Sequence, residues 1–153
     1  MKPAVRYAIV AIACVLVGAL GGGYFAWRWA ITKWVPVTDL FTVVQASTWT
    51  AASRDSGDPS AYEDALRAYL AVVDTAIERD STGVNRRMYL GDKALGLVRL
   101  ADVVEKRGAQ GDSVTLRQQA AALCPVYGLA DCNAESLSVL AKKLDQVFTG
   151  GKQ

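Results

Sequence analysis

Residues 90–104 read LGDKALGLVRLADVV, and their spacing decides the fold class. Leu90, Ala94, Leu97, Ala101 and Val104 recur at intervals of 4-3-4-3, the seam of one helix packed against another at a shallow angle. No segment of the chain alternates polar and apolar residues with the period of two that a half-buried strand needs. The chain is therefore predicted to be all-α.

Working outward, Gly108 and Gly111 stop this helix, and Ser81 to Asn85 form the break before it. The preceding helix has a core face of Tyr62, Leu66, Tyr69, Val73, Ala76 and Ile77, and starts near Pro59 or Ser60, where Ser60 and Glu63 make a capping-box pattern. Arg54 to Pro59 is a turn cluster. Before it, Val37, Leu40, Phe41, Val44 and Thr48 share one face of a helix that ends near Arg54. Downstream, Asp112 or Ser113 caps a shorter helix running to about Cys124. Asn133 caps the last one, with Leu137, Leu140, Ala141, Leu144 and Phe148 on one face. The expectation is about five helices over residues 37–148, arranged as a small bundle or as stacked hairpins, with a polar tail at 149–153.

The N-terminus differs in kind. Hydrophobic residues make up 52% of the chain and the mean hydropathy is positive. That excess sits in residues 7–30, which contain one charge, Arg28. Residues 7–27 are about the length that crosses a hydrocarbon core as a helix. Tyr24, Phe25, Trp27, Trp29 and Trp34 cluster at its C-terminal end, and amphipathic rings of this kind collect at the headgroup level. Pro36 is expected to end the stretch. Residues 1–36 thus read as a transmembrane anchor with an interfacial aromatic segment, embedded in a lipid bilayer. Two other readings compete. Ala19-Leu20-Gly21 is a passable cleavage site for a signal peptide, and Ala11-Ile12-Ala13-Cys14 loosely resembles a lipobox.

Within the anchor, Cys14, Gly18, Gly22 and Ala26 recur every four residues and form one stripe of small side chains. In lipid, such a stripe allows two helix backbones to approach closely. The implied partner is another membrane protein or a second copy of this chain.

The charge divides as the hydropathy does. Up to Pro36 the charged residues are Lys2, Arg6, Arg28 and Lys33, giving +4. The remainder has 13 basic and 15 acidic residues, giving −2. A mildly acidic domain behind a basic anchor does not suit nucleic acid, which selects a concentrated basic face.

There is no histidine, so the commonest general base and metal ligand is missing. Cys124 and Cys132 flank a loop containing proline and glycine, which can bring their Cα atoms to disulfide distance. Such bonds persist in oxidising compartments. That places the helical domain outside the cytoplasm and the N-terminus inside, in agreement with Lys2 and Arg6. Asp55-Ser56-Gly57-Asp58 has the oxygen-rich look of a calcium loop but lacks the ligand spacing of one. Asp74, Glu78 and Asp80 are expected to meet Arg86 and Arg87 across a helical hairpin. No hydrolase, phosphate-loop or zinc-protease motif is present, so neither catalysis nor a cofactor is expected.

Together these features describe a non-enzymatic accessory or scaffold protein. The span, the aromatic girdle, the small-residue stripe and the cysteine pair lead to the expectation of a bacterial inner membrane with the domain in the periplasm; the layout, shared by many bacterial accessory proteins, is an architectural likeness only. The alternative is a cleaved, secreted helical protein that binds or inhibits a target.

Overall fold

The computed structural model describes residues 3–81, 83–127 and 132–149. Within them, the side chains of residues 3–14, 16, 17, 31–36, 127, 148 and 149 lie outside the description. Among the described residues there are five α-helices, one short 3-10 helix and no strand. They are α1 (Pro3–Asp55), α2 (Pro59–Arg79), α3 (Arg86–Lys106), α4 (Gln110–Leu123), the 3-10 turn Cys124–Tyr127, and α5 (Ala134–Thr149). The all-helical class read from the spacing of Leu90 to Val104 is what the chain adopts. The chain divides into two compact units, Met1–Thr38 and Asp39–Gln153.

The second unit is organised around α3. Ten of its 21 residues are buried, on more than one face, and a helix that is apolar nearly all round has to be surrounded. Helices α2, α4 and α5 supply the surroundings. One core cluster joins Leu66 and Leu70 of α2 to Ala94, Leu97, Leu100 and Val104 of α3, and extends to Ala120 of α4 and Leu137 of α5. Each fully buried aliphatic side chain of this kind contributes about 1.5–3 kcal/mol. A second cluster joins Val43 of α1 to Tyr69, Val73 and Ala76 of α2 and Tyr89 of α3. The seam residues Ala94, Leu97, Ala101 and Val104 are buried as their spacing implies, while Leu90 is partly exposed.

Helices α2 and α3 approach closely at Gly96. A methyl group added there would lie 2.9 Å from Leu70 Cδ2 and 3.3 Å from Tyr69 Cε1, so only hydrogen fits without displacing the core. At the far end of α3, Gly108 takes a positive φ of 91°. The Gly108 N–H then bonds the Glu105 carbonyl at 2.9 Å and the Ala109 N–H bonds that of Val104 at 3.2 Å. These are the two bonds of a Schellman cap, and they turn the chain into α4.

Three local expectations need correction. Helix α2 is capped by Asp58, whose carboxylate accepts from the Ser60 and Ala61 amides at 2.9 and 3.4 Å; Ser60 and Glu63 do not form the box, because Glu63 is drawn into ion pairs. Helix α4 begins at Gln110, with Ala109 as a cap that makes no side-chain bond. Gly108 has already reversed the chain, so Asp112 falls in the first turn, where its charge suits the helix dipole. Third, Pro36 does not end the first helix, since α1 runs from Pro3 through to Asp55. Proline's fixed φ is helical, and only one amide bond is lost by including it.

The expected core face of α1 is also rotated. In the second unit the buried side chains are Val43 and Thr50, with Leu40 and Ala46 packed beside them. Phe41 is 68% exposed, and Val44 and Thr48 also face outward. The stretch has apolar residues on both sides, so periodicity alone does not choose between them. The small residues Ala46 and Thr50 decide it: the Thr50 hydroxyl donates to the Ala46 carbonyl at 2.9 Å and reaches that of Ala65 at 3.5 Å. At α5, by contrast, Asn133 caps as expected. Its Oδ1 accepts from the Ser136 amide at 2.8 Å, and Ser136 Oγ accepts from the Asn133 amide at 2.9 Å.

In the first unit, residues 3–38 are helical. Leu20 and Phe25 are 74% and 72% exposed, and Val15, Tyr24, Trp27 and Trp29 are exposed too. Among the described residues, no helix is long and apolar enough to cross a membrane. Most of the side chains that make residues 7–17 apolar, Cys14 included, lie outside the described residues, as does that of Trp34. The span expected from the sequence therefore has no support in the structure.

Two substitutions test the α3-centred core by chemical denaturation. Gly96→Val should destabilise by about 1–3 kcal/mol, the range for overpacking a filled interior. Tyr89 is 1% exposed, and its hydroxyl makes no hydrogen bond of good geometry among the described residues, with the Asn85 side chain beside it. Tyr89→Phe should therefore leave stability unchanged or raise it by about 1 kcal/mol.

Candidate functional site

The second unit contains an open cleft of about 720 Å³. Its walls come from four helices and one turn, none of which holds a site by itself. The end of α1 gives Arg54, and the turn and start of α2 give Asp58, Pro59, Tyr62 and Glu63. The last turns of α3 add Arg99, Asp102, Val103, Lys106 and Arg107, and α5 adds Ala141, Lys142 and Asp145.

The carboxylates of this cleft are each taken up by more than one donor. Asp58 is committed to the α2 amides. Glu63, only 5% exposed, lies between Arg67 and Arg107, both at 2.8 Å. Asp145 receives Arg54 at 2.9 Å and Arg99 at 2.8 Å. Asp102 receives Arg117 at 2.7 Å from outside the cleft, Lys142 at 4.0 Å and the Ser138 hydroxyl at 3.3 Å. Lys106 has no ion pair among the described residues.

These contacts leave traces on ionisation. Burial pushes the Tyr62 phenol above its ordinary pKa, with the Arg99 charge acting against that shift. The hydrogen bond from Arg117, aided by one from Gln110, holds the Glu105 carboxyl below its ordinary value. Arg117 reaches Glu105 at 2.6 Å as well as Asp102, so one guanidinium ties the middle of α4 to α3. Among the described residues, no group of three or more acidic or cysteine side chains is placed to hold a metal ion.

The residues singled out from sequence fare differently. Cys124 and Cys132 are joined, with Cα atoms 5.4 Å apart. Gly18 and Gly22 have nothing of the described chain within 4 Å of an added methyl group. Tyr24 and Phe25 stack edge to face with ring centres 6.0 Å apart. The oxygen-rich turn is a cap, with Ser56 Oγ donating to the Ser53 carbonyl at 2.7 Å. The hairpin charges do not meet as expected, since Asp74 pairs with Lys93 at 2.6 Å and Arg87 donates to the Val126 carbonyl at 2.9 Å. Arg87 is simply carried past α2 towards the 3-10 turn.

Sequence reasoning missed the cleft, because each contributing residue reads singly as part of a solvated helix face. One signal was available. Glu63 occupies the turn between Tyr62 and Leu66, and Asp102 abuts the seam residue Ala101. Acids at the edge of a core stripe require partners.

Asp145 is the joint between α1, α3 and α5, so its loss leaves two guanidinium groups facing one another. Asp145→Ala should lower stability by about 1–2 kcal/mol in low salt, more than an isolated surface pair is worth. The difference from wild type should shrink as salt is raised in the same denaturation series.

No family model, no curated protein and no solved structure matches the chain.

Proposed function

We propose that the chain is a membrane-anchored, non-catalytic interaction module, with the helical unit held outside the cytoplasm to contact a partner protein of an inner-membrane complex. The carrying observation is the surface of α1. Leu20, Phe25 and Trp27 are largely exposed. A helix with apolar side chains all round is unstable in bare water and calls for lipid or protein around it.

Three further features support the reading. Residues 7–27 have the length and low charge of a span. The Cys124–Cys132 bond belongs to an oxidising compartment. In the second unit, Phe41, Val44 and Trp49 stay exposed, which suits contact with another protein. On this reading the stripe of Cys14, Gly18, Gly22 and Ala26 packs against a partner helix, and the aromatic residues from Tyr24 to Trp34 lie at the headgroups. The second reading, a cleaved and secreted binding protein, draws on the same disulfide and on the Ala19-Leu20-Gly21 site.

Intact mass under non-reducing conditions, with and without thiol alkylation, separates them on protein extracted from membranes. The expected result is a full-length mass with one alkylatable thiol, Cys14. A truncated mass beginning near Gly22 would establish the secreted form. Three alkylatable thiols would remove the argument for a domain outside the cytoplasm.

A further inference from the structure

We infer that the cleft between the ends of α1, α3 and α5 and the start of α2 binds a small organic anion: a carboxylate or phosphate monoester carried on an apolar ring or short hydrocarbon. The inference does not depend on the membrane reading. It rests on how charge is distributed inside a cavity of the right size, since clefts that hold small molecules run from about 300 to 1,000 Å³.

The acids of the cleft are spent. Asp58 accepts from two backbone amides, and Glu63, Asp102 and Asp145 each lie against two cations. The α2 N-terminus is likewise unavailable, because Asp58 already occupies its amides. The cations are not spent in the same way. Each guanidinium has five N–H donors, and Arg107 uses one nitrogen on Glu63. Lys106 uses none in an ion pair among the described residues, while lining the same cavity. Five basic groups line the cleft, Arg54, Arg99, Lys106, Arg107 and Lys142, against four carboxylates, Asp58, Glu63, Asp102 and Asp145, so its mouth carries one net positive charge. It does so on a domain whose net charge is −2. A local reversal of sign inside a concavity focuses the field and draws in anions.

A bare anion would leave the rest of the cleft unused. Pro59, Val103 and Ala141 line it with hydrocarbon, and Tyr62 adds an aromatic face. The Tyr62 hydroxyl makes no hydrogen bond among the described residues, so it is a donor awaiting an acceptor. An anion with an apolar body matches both parts: its charged group meets Lys106 and Arg107, and its body covers Tyr62 and Val103.

Isothermal titration of the full-length protein in non-ionic detergent tests this, with phenyl phosphate as the probe. Inorganic phosphate and benzyl alcohol supply the charge and the body separately. Phenyl phosphate should give saturable heat, and each of the other two should bind at least about fivefold more weakly. Lys106→Gln removes an exposed, unpaired charge and should weaken phenyl phosphate by about fivefold, the scale of one solvent-exposed charge contact. Lys143→Gln, on α5 but outside the cleft, should change nothing. Tyr62→Phe should weaken binding two- to threefold with the cleft otherwise intact. No saturable heat, or the same affinity in Lys106→Gln as in wild type, would overturn the inference and leave the cleft as an ion-pair joint. Inorganic phosphate binding as tightly as phenyl phosphate would overturn the assigned ligand class.

Discussion

The burial of α3 on nearly every side is the constraint from which the rest of the helical unit follows. A helix with Ala94, Leu95, Leu97, Val98, Leu100, Ala101 and Val104 buried cannot rest against one neighbour; it needs a ring of them. Helices α2, α4 and α5 form that ring. Gly96 sets the distance to α2, and Gly108 sets the reversal into α4. The Cys124–Cys132 bond then fixes the turn that brings α5 home, and closing so small a loop stabilises by about 2–3 kcal/mol in the chain-entropy account.

The same constraint explains why the charged residues gather where they do. In the last turns of α3 the buried stripe narrows to Leu100, Ala101 and Val104, so Arg99, Asp102, Lys106 and Arg107 emerge together at one end of the ring. The ends of α1 and α5 and the start of α2 reach that end too, bringing Arg54, Asp145 and Glu63. Half-buried charges there need partners, and the pairs they find tie four helices at one place. Fixing the carboxylates between guanidinium groups leaves the mouth of the cleft positive. Structural joint and binding cleft are two consequences of one arrangement.

What could be read in the sequence depended on how local each signal was. The period of Leu90 to Val104, the Asn133 cap and the Cys124–Cys132 pairing are set by neighbours within one or two turns, and they are found as expected. Helix α1 was harder. Leu40, Val43 and Ala46 on one side and Phe41, Val44 and Trp49 on the other are equally apolar, and only the packing of Thr50 against α2 chooses between them. Pro36 carries a breaking signal that one lost hydrogen bond is too weak to enforce. The cleft was beyond reach, since its residues lie on four helices, and the one stretch that holds two of its walls, 54–63, reads as an ordinary turn and helix cap.

Helix α1 also connects the fold to the proposed role. All four tryptophans, Trp27, Trp29, Trp34 and Trp49, belong to it, so intrinsic tryptophan fluorescence reports on this helix alone. The most direct measurement is quenching of that fluorescence in vesicles made with lipids brominated along the acyl chain. The account predicts strong quenching, greatest with bromines close to the headgroup. Emission unchanged by brominated lipid and centred where it lies in lipid-free buffer would contradict the claim that lipid covers the N-terminal part of α1.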